Sequence, residues 1–198
     1  MAGYVAGMSI DEQNLFLAAR TKNVDSLMSA LANGARAGLK DADGKTPLHA
    51  FAEEPLPFGL LSLDGNADPA LAVIERLVAA GCPLDVRNRY GATALATAAM
   101  AGSFAIVKTL HELGASLDEA MHFVAGRTRC SKMIPFLASL GADPEALCAE
   151  GISVLDAALG CWGGPIPGMV AAIESEIIRA HSSKAANAEA ALRPSRRI

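Results

Sequence analysis

Cysteine and histidine are the residue types in this sequence that could act together as a nucleophile and its general base. Two pairs lie close enough in sequence to be considered, His122 with Cys130 and Cys161 with His181. Neither pair is accompanied by a third residue to orient the base or by a glycine turn to form an oxyanion site, although such features normally define this chemistry. We predict that the chain is not an enzyme, and a Cys/His enzyme stays as the distant alternative.

The sequence also offers little that could hold a metal ion or a phosphate group. Its four cysteines, separated by 48, 18 and 13 positions, match no zinc-ligand spacing. They are Cys82, Cys130, Cys148 and Cys161. Gly163-Gly164 is followed by Pro165 rather than by a helix with Lys and Ser or Thr, so it is not a phosphate loop. We expect no cofactor, no metal and no small-molecule substrate.

The composition favours an all-α fold. Hydrophobic residues make up 52% of the 198 positions and aromatic residues only 5%, and alanine is frequent, which suits helices packed through small side chains. The formal charge of −4 gives no basic field of the kind that nucleic-acid binding usually requires. Arg193, Arg196 and Arg197 near the C-terminus are too few to change this, so we expect no nucleic-acid partner.

Neither the N-terminus nor any internal segment predicts export or membrane insertion. Residues 1–4 contain no basic region followed by an apolar run. The most apolar helix, at 70–80, is interrupted by Glu75 and Arg76. We expect a cytoplasmic protein without membrane contact.

The segment 43–49, DGKTPLH, contains the clearest helix-start signal in the chain. Gly44 permits a turn, Thr46 can cap a helix by accepting a backbone N–H, and Pro47 suits the first helical turn. The string resembles the TPLH signature of ankyrin repeats, whose period is about 33 residues. That resemblance implies a structural role for His49, hydrogen-bonded within and between repeats, rather than a catalytic or metal-binding role.

A longer pattern recurs along the chain at matching distances. Leu15 is followed by Gly34 and Leu95 by Gly114, 19 positions later in both cases, with paired alanines after each leucine. The resemblance to ankyrin repeats implies an all-α solenoid of about five helix-turn-helix units with short finger loops, in a single domain over 1–181. The expected units are about 11–43, 44–90, 91–117, 118–150 and 151–181, and residues 182–198 are expected to form a flexible or frayed tail.

Repeats two, four and five depart from the regular pattern. The second carries fourteen extra residues within 55–69, and the fifth has a loop rich in glycine and proline at 160–168 before a closing helix at about 169–181. The fourth is expected to open near Asp118, so that the finger loop between repeats three and four is almost absent. Counting back 19 positions from Gly141 places His122 where other repeats have leucine, which predicts a half-buried structural histidine.

The expected finger tips lie at 36–43, 85–90 and 143–150, and these segments are rich in charge. Arginine and tyrosine are favoured interface anchors because each combines a planar apolar face with hydrogen-bonding groups. The first two fingers therefore supply candidate partner-binding residues, with an ordinary solvated loop as the alternative. These candidates are Arg36, Lys40, Asp41 and Asp43 on one finger and Arg87, Asn88, Arg89 and Tyr90 on the next.

Two interhelical loops carry large apolar side chains that are expected to be buried away from water. The insertion includes Phe58 and Leu60, and the loop of the fifth repeat carries Trp162, the single tryptophan. Burying three such side chains contributes roughly 5 to 8 kcal/mol. These residues either pack over neighbouring helices or form part of a partner interface.

Because every strong motif is architectural, the expected function is binding of another protein through the concave face, with no chemistry of its own. A small, acidic, stand-alone chain of this kind resembles bacterial ankyrin proteins that act as immunity partners of toxins, which implies inhibition by occlusion. A regulatory adaptor or a secreted host-directed effector would use the same surface and is the alternative.

Overall fold

The chain is built from helices in the computed structural model, which describes residues 8–53, 69–117, 119–125, 131–160 and 167–192. Those ranges contain ten helices and no strand, which confirms the all-α class. Among them is no helix with both the length and the apolar character that crossing a membrane demands. The helices are α1 (Ile10–Thr21), α2 (Val24–Ala32), α3 (Pro47–Glu53), α4 (Pro69–Ala79), α5 (Ala94–Met100), α6 (Phe104–Glu112), α7 (Ala120–Ala125), α8 (Met133–Ser139), α9 (Val154–Leu159) and α10 (Pro167–Leu192).

Several helices begin at a polar residue whose side chain caps the first turn. Ser9 and Glu12 form a capping box on α1, in which the Ser9 hydroxyl accepts from the Glu12 N–H at 3.2 Å and the Glu12 carboxylate accepts from the Ser9 N–H at 2.9 Å. The hydroxyls of Thr93 and Ser153 cap α5 and α9, each by accepting from the N–H three residues further on. Hydroxyl side chains therefore cap the start of both helices.

The helices form pairs, and the pairs stack in two rows. α1, α3, α5, α7 and α9 contact one another in sequence to form the first row, while α2, α4 and α6 form the second. α8 packs on α7, and α10 packs against α8 and α9. Leu15, Leu48, Leu95 and Met121 take equivalent places in the first row, and each is at most 2% exposed. Together with the alanines that follow them, they form one hydrophobic core along the array.

The connections between one helix pair and the next differ in length. Fourteen residues join α2 to α3 (33–46), α4 to α5 (80–93) and α8 to α9 (140–153), but only seven join α6 to α7 (113–119). The short connection agrees with the expectation that one finger is almost absent. Asp118, the expected first residue of the fourth repeat, lies outside the described residues.

Local sequence explains the start of α8 and the end of α10. α8 begins at Met133 and carries Pro135 in its first turn, where a proline is tolerated. α10 runs to Leu192, whereas the closing helix was expected to end at about His181 and to be followed by a frayed tail. The segment 185–191, AANAEAA, continues the helix because alanine has the highest helix propensity of all residues.

Candidate functional site

Three tight turns with the same hydrogen bonds stand between the helix pairs. In segments 41–45, 88–92 and 148–152, the N–H of the first residue donates to the carbonyl of the last at 2.9, 3.0 and 3.0 Å. The fourth residue is Gly44, Gly91 or Gly151, with φ of 72°, 79° and 77°, a left-handed conformation that glycine adopts without strain. We call these segments the first, second and third finger turns.

Two predicted partner-binding residues hold their own finger turns closed. Asp41 Oδ1 accepts from the backbone N–H groups two and four residues further on, at 2.8 and 2.9 Å. Asn88 Oδ1 accepts from the equivalent N–H groups at 2.9 and 3.1 Å. Such Asx contacts are a common device of tight turns. Asp41 and Asn88 therefore have a structural task that their sequence context did not reveal.

The first and second finger turns are joined directly. The Arg89 N–H donates to the Asp43 carbonyl at 2.8 Å, and the Arg89 guanidinium forms an ion pair with the Asp43 carboxylate at 2.8 Å. Arg89 also stacks on Tyr90, with its Cζ 4.7 Å from the ring centroid. The structure thus brings these three predicted site residues together, in contacts that tie two neighbouring helix pairs.

His49 connects the first finger turn to the second. Its ring is fully buried, with Nδ1 accepting from the Thr46 N–H at 3.1 Å and Nε2 lying 3.0 Å from the carbonyl oxygen of Ala92. Because a carbonyl oxygen only accepts, Nε2 carries the proton, and the ring is neutral. Burial lowers the pKa of His49, which favours this neutral form. These contacts match the structural role expected of His49.

His122 makes the equivalent contact with the third finger turn. Its Nε2 lies 2.9 Å from the carbonyl oxygen of Ile152, the last residue of that turn. The expected register placed His122 at a leucine position, but the structure places Met121 there and His122 at the position of His49. The count was wrong by one position because one more residue separates Met121 from Gly141 than in repeats one and three. The expected half-buried, structural character of His122 is confirmed.

The short connection between α6 and α7 leaves a gap in the row of finger turns. Between the second and third finger turns lies a cleft of about 440 Å³, which we call the slot. Tyr90 and Gly91 line it from the second finger turn, and Cys148 and Ile152 line it from the third. Phe123 of α7 also lines the slot. Its Cζ atom would lie 3.8 Å from a Cβ atom placed on Gly91.

Glu119, directly before α7, connects the two sides of the slot. One of its carboxylate oxygens pairs with the Arg87 guanidinium, and the other accepts from the Ala149 N–H at 3.2 Å. The hydrogen bond from Arg87 lowers the pKa of Glu119, so the carboxylate is charged at neutral pH. Glu119 has a left-handed φ of 59°, a conformation that costs a residue other than glycine about 1 to 2 kcal/mol.

The slot combines exposed apolar side chains with an acidic group, Glu150. Tyr90 and Ile152 are 61% and 40% exposed, and Leu147, beside the third finger turn, is 64% exposed. Glu150 lines the slot, is exposed, and forms no ion pair with any residue that the structure describes. Because the ion pair of Arg87 is neutral as a unit, Glu150 gives the slot a net negative charge.

The remaining predicted charges of the first finger lie outside the slot. Arg36 Nε forms an ion pair with the buried Glu12 at 2.7 Å, and this hydrogen bond lowers the pKa of the Glu12 carboxyl. Lys40 is exposed and pairs with no acidic side chain in the described ranges. Lys40 is therefore the predicted first-finger charge that remains open to a partner.

Several predicted residues fall outside the part of the chain that the structure describes, and their roles stay predictions. They are Phe58, Leu60, Cys130, Cys161 and Trp162. Of the two histidines paired with cysteine in the enzyme alternative, His122 donates to a backbone carbonyl and His181 Nε2 lies 2.9 Å from the Glu145 carboxylate. Among the described His, Cys, Asp and Glu side chains, no group of three is placed to hold a metal ion.

The described helices define an all-α protein of stacked helix pairs with finger turns along one edge. A comparison with protein-family models found no family that matches the sequence.

Proposed function

We propose that this chain is a non-catalytic protein-binding module of the ankyrin-repeat type, which holds a partner along its finger turns and the slot. Three features support this architecture: the two rows of helix pairs, the recurring finger turn, and a histidine near a helix start that donates to the next finger turn. The solenoid of about five units over 1–181 belongs to this proposal.

The binding function rests on exposed apolar side chains held by a fixed framework. Tyr90, Leu147 and Ile152 are 61%, 64% and 40% exposed, and all three lie on or beside the finger turns. Apolar groups gathered at one surface are typical of interaction sites, and tyrosine is enriched among the residues that dominate binding energy. Because side-chain hydrogen bonds already close the first and second finger turns, binding would cost little conformational entropy there.

A basic partner surface suits this module best. The chain has a net charge of −4, and Glu150 in the slot is unpaired among the described residues. Complementary charge speeds association and disfavours wrong partners. Within the proposal, the partner is a toxin that the chain neutralises by covering its active site or interface. A regulatory adaptor or a host-directed effector would use the same surface and is the alternative.

Quantitative binding by finger-surface variants tests the proposal. Proteins captured by the chain from the cells that naturally make it are purified singly and titrated against it by calorimetry. We expect Leu147→Lys, which removes an exposed apolar side chain and adds a charge that repels a basic partner, to weaken binding of a true partner by about 100-fold. The Leu147 side chain is exposed, and it closes no finger turn.

Ile178→Lys is the matched control, because Ile178 is a similarly exposed apolar residue on α10. This control should leave the affinity within about twofold of the native value. Equal losses in both variants, or no loss in either, would count against the finger surface. The toxin form of the proposal is tested by co-expression: it requires the chain to restore growth of cells that make the partner, and unchanged growth inhibition rejects it.

A further inference from the structure

We infer that the slot receives a loop of the partner protein in which a large apolar side chain stands next to a lysine or arginine. The inference rests on the proposed function, because it names the part of the partner that the module would hold. Its support comes from the position of the slot, the side chains that line it, and its charge.

The slot lies where the row of finger turns is interrupted. The first and second finger turns are in direct contact through the hydrogen bond from the Arg89 N–H to the Asp43 carbonyl at 2.8 Å. In the described ranges no backbone hydrogen bond joins the second finger turn to the third, and a cleft of about 440 Å³ lies between them. This volume is within the roughly 300 to 1,000 Å³ of ordinary ligand pockets. A single loop from another protein would take the place of the missing finger.

The helix before the gap lacks a side chain that α3 and α7 use to hold a finger turn. His49 and His122 each donate to the finger turn of the next helix pair. At the equivalent position on α5, before the missing finger, stands Ala96, which is 1% exposed and has no side-chain donor. The gap therefore follows a helix that has no histidine at this position.

The lining of the slot suits one large apolar side chain. Tyr90 and Phe123 supply aromatic surface, and Ile152 supplies aliphatic surface from the opposite finger turn. Tyr90 is 61% and Ile152 40% exposed, so an inserted side chain would remove apolar surface of both residues from water. Aromatic side chains at such a position are frequent anchors of protein interfaces.

The negative charge of the slot favours a basic residue on the partner's loop, next to the inserted apolar side chain. Arg87 is already paired with Glu119, whereas Glu150 has no ion-pair partner among the residues that the structure describes. A lysine or arginine on the loop would pair with Glu150. An acidic residue at the same place would be repelled, and such like-charge contacts are what exclude wrong partners.

Glu119 bonds to both sides of the slot in the absence of a partner. It bonds to Arg87 on one side and accepts from the Ala149 N–H at 3.2 Å on the other. It does so from a left-handed φ of 59°, and strained residues of this kind are concentrated at ligand clamps. A site fixed in this way loses little free energy to rearrangement when the loop binds.

A displayed library of short, disulfide-closed peptide loops, selected on the full chain, tests the inference. We expect enriched loops to carry an apolar residue beside Lys or Arg. A synthetic loop from the selection should bind the slot variant, Ile152→Ser with Glu150→Lys, about 100-fold more weakly than the native chain. The slot variant should still fold, because the contact with His122 uses the Ile152 carbonyl and the Glu150 side chain is exposed.

The matched control, Ile178→Ser with Glu174→Lys, makes the same chemical changes on α10 and should keep the affinity for the loop. Enrichment of acidic loops, or equal binding to the native chain and the slot variant, overturns the inference. An increase in loop affinity on deletion of residues 193–198 overturns it as well, because the chain's own end would then fill the slot. Self-association that the slot variant loses would instead assign the slot to a second copy.

The two proposals fail in distinguishable ways. If the captured partner binds the slot variant normally but does not bind Leu147→Lys, the proposed function stands and the slot inference is wrong. If selected loops bind the slot but no cellular protein binds the finger surface, the slot accepts loops while the proposed function is wrong.

Discussion

The Nε2 atom of His49 lies 3.0 Å from the carbonyl oxygen of Ala92, so a side chain of one helix pair holds the finger turn of the next. His122 and Ile152 repeat the relationship at 2.9 Å. Neither finger turn can move away without leaving polar groups unpaired, and at His49 those groups are buried. These contacts should therefore make the stacking of neighbouring pairs cooperative.

Replacing His49 should destabilise the protein strongly. His49→Ala leaves the Thr46 N–H without its acceptor, removes one of the two donors to the Ala92 carbonyl and opens a cavity in a fully buried site. We therefore expect a loss of about 3 to 5 kcal/mol in the free energy of unfolding. Urea denaturation measures this loss. His181→Ala removes an exposed imidazole and should cost about 0.5 kcal/mol or less. Similar losses in the two variants would contradict the structural role of His49.

Stability should fall as the pH drops below about 6.5, the pKa of an unperturbed histidine. Burial lowers the pKa of folded His49, so the unfolded chain binds a proton at a higher pH than the folded chain does. The contribution of this residue is thus complete above about pH 6.5 and is lost toward lower pH, with a slope of at most about 1.4 kcal/mol per pH unit. Urea denaturation between about pH 5 and 7 should show the slope in the native chain and in His181→Ala, but not in His49→Ala. An NMR titration that finds His49 protonated at its ordinary pKa would exclude this explanation.

The ion pair between Arg87 and Glu119 should couple the second finger turn to the start of α7. A double-mutant cycle with Arg87→Ala and Glu119→Ala should give a coupling of about 0.5 to 1 kcal/mol, since Arg87 is half exposed. Glu119→Ala alone should cost about 1 kcal/mol more than Arg87→Ala, because it also frees the Ala149 N–H.

The coupling energy between Arg87 and Glu119 should decrease as the pH falls and Glu119 becomes protonated. The pKa of Glu119 is lowered in the folded state, so its contribution is complete above the unfolded value of about 4.3 and is lost as the pH falls through the folded value. Chemical denaturation at several pH values measures this change. A coupling energy that stays constant at pH values far below the pKa of folded Glu119 would contradict this prediction. It would show that the charge of Glu119 does not couple the second finger turn to the start of α7.

Asn88 should matter through its side-chain oxygen rather than through contact with a partner. Asn88→Ala removes the acceptor for two backbone N–H groups and should cost about 1 to 2 kcal/mol, whereas Asn88→Asp keeps an acceptor and should cost less than about 1 kcal/mol. Thermal denaturation monitored by circular dichroism distinguishes the two. Lys40→Ala, at an exposed position beside the first finger turn, serves as the control and should change stability by about 0.5 kcal/mol or less.

The all-α class and the missing finger were predictable because they depend on short-range signals. Alanine content and cap residues such as Thr93 act within one helical turn, and the short interval after Gly91 leaves no room for a fourteen-residue connection. The register of α7 was not predictable in this way. A single extra residue between Met121 and Gly141 moves His122 by one position without changing any local propensity.

The slot could not be predicted because its sides come from distant parts of the sequence. Tyr90 and Ile152 meet at one cleft only because α7 brings the second and third finger turns together. The ion-pair partners of Arg87 and Arg89 could not be predicted either, since the two arginines have similar sequence surroundings. The structure pairs one with Glu119 and the other with Asp43, and this choice is made by how the helix pairs stack.

Two described cysteines should react differently with a thiol reagent, and the difference provides a probe of the slot. Cys82 is 3% exposed and burial raises its pKa, so the folded chain should protect it until it unfolds. Cys148 is half-buried and lines the slot. In a chain carrying Cys130→Ser and Cys161→Ser, a bulky maleimide should label Cys148 selectively, as mass spectrometry of the digested protein can show.

The label on Cys148 should then block the slot. We expect labelling to weaken binding of a selected peptide loop by about 10-fold or more, because the added group occupies the volume that the inserted side chain needs. The same chain with Cys148→Ser should bind the loop normally before and after treatment with the reagent. Because Cys148 contributes its backbone N–H, rather than its side chain, to the third finger turn, the substitution leaves that turn closed. A fully labelled chain that still binds the loop at native affinity would place the loop elsewhere on the protein.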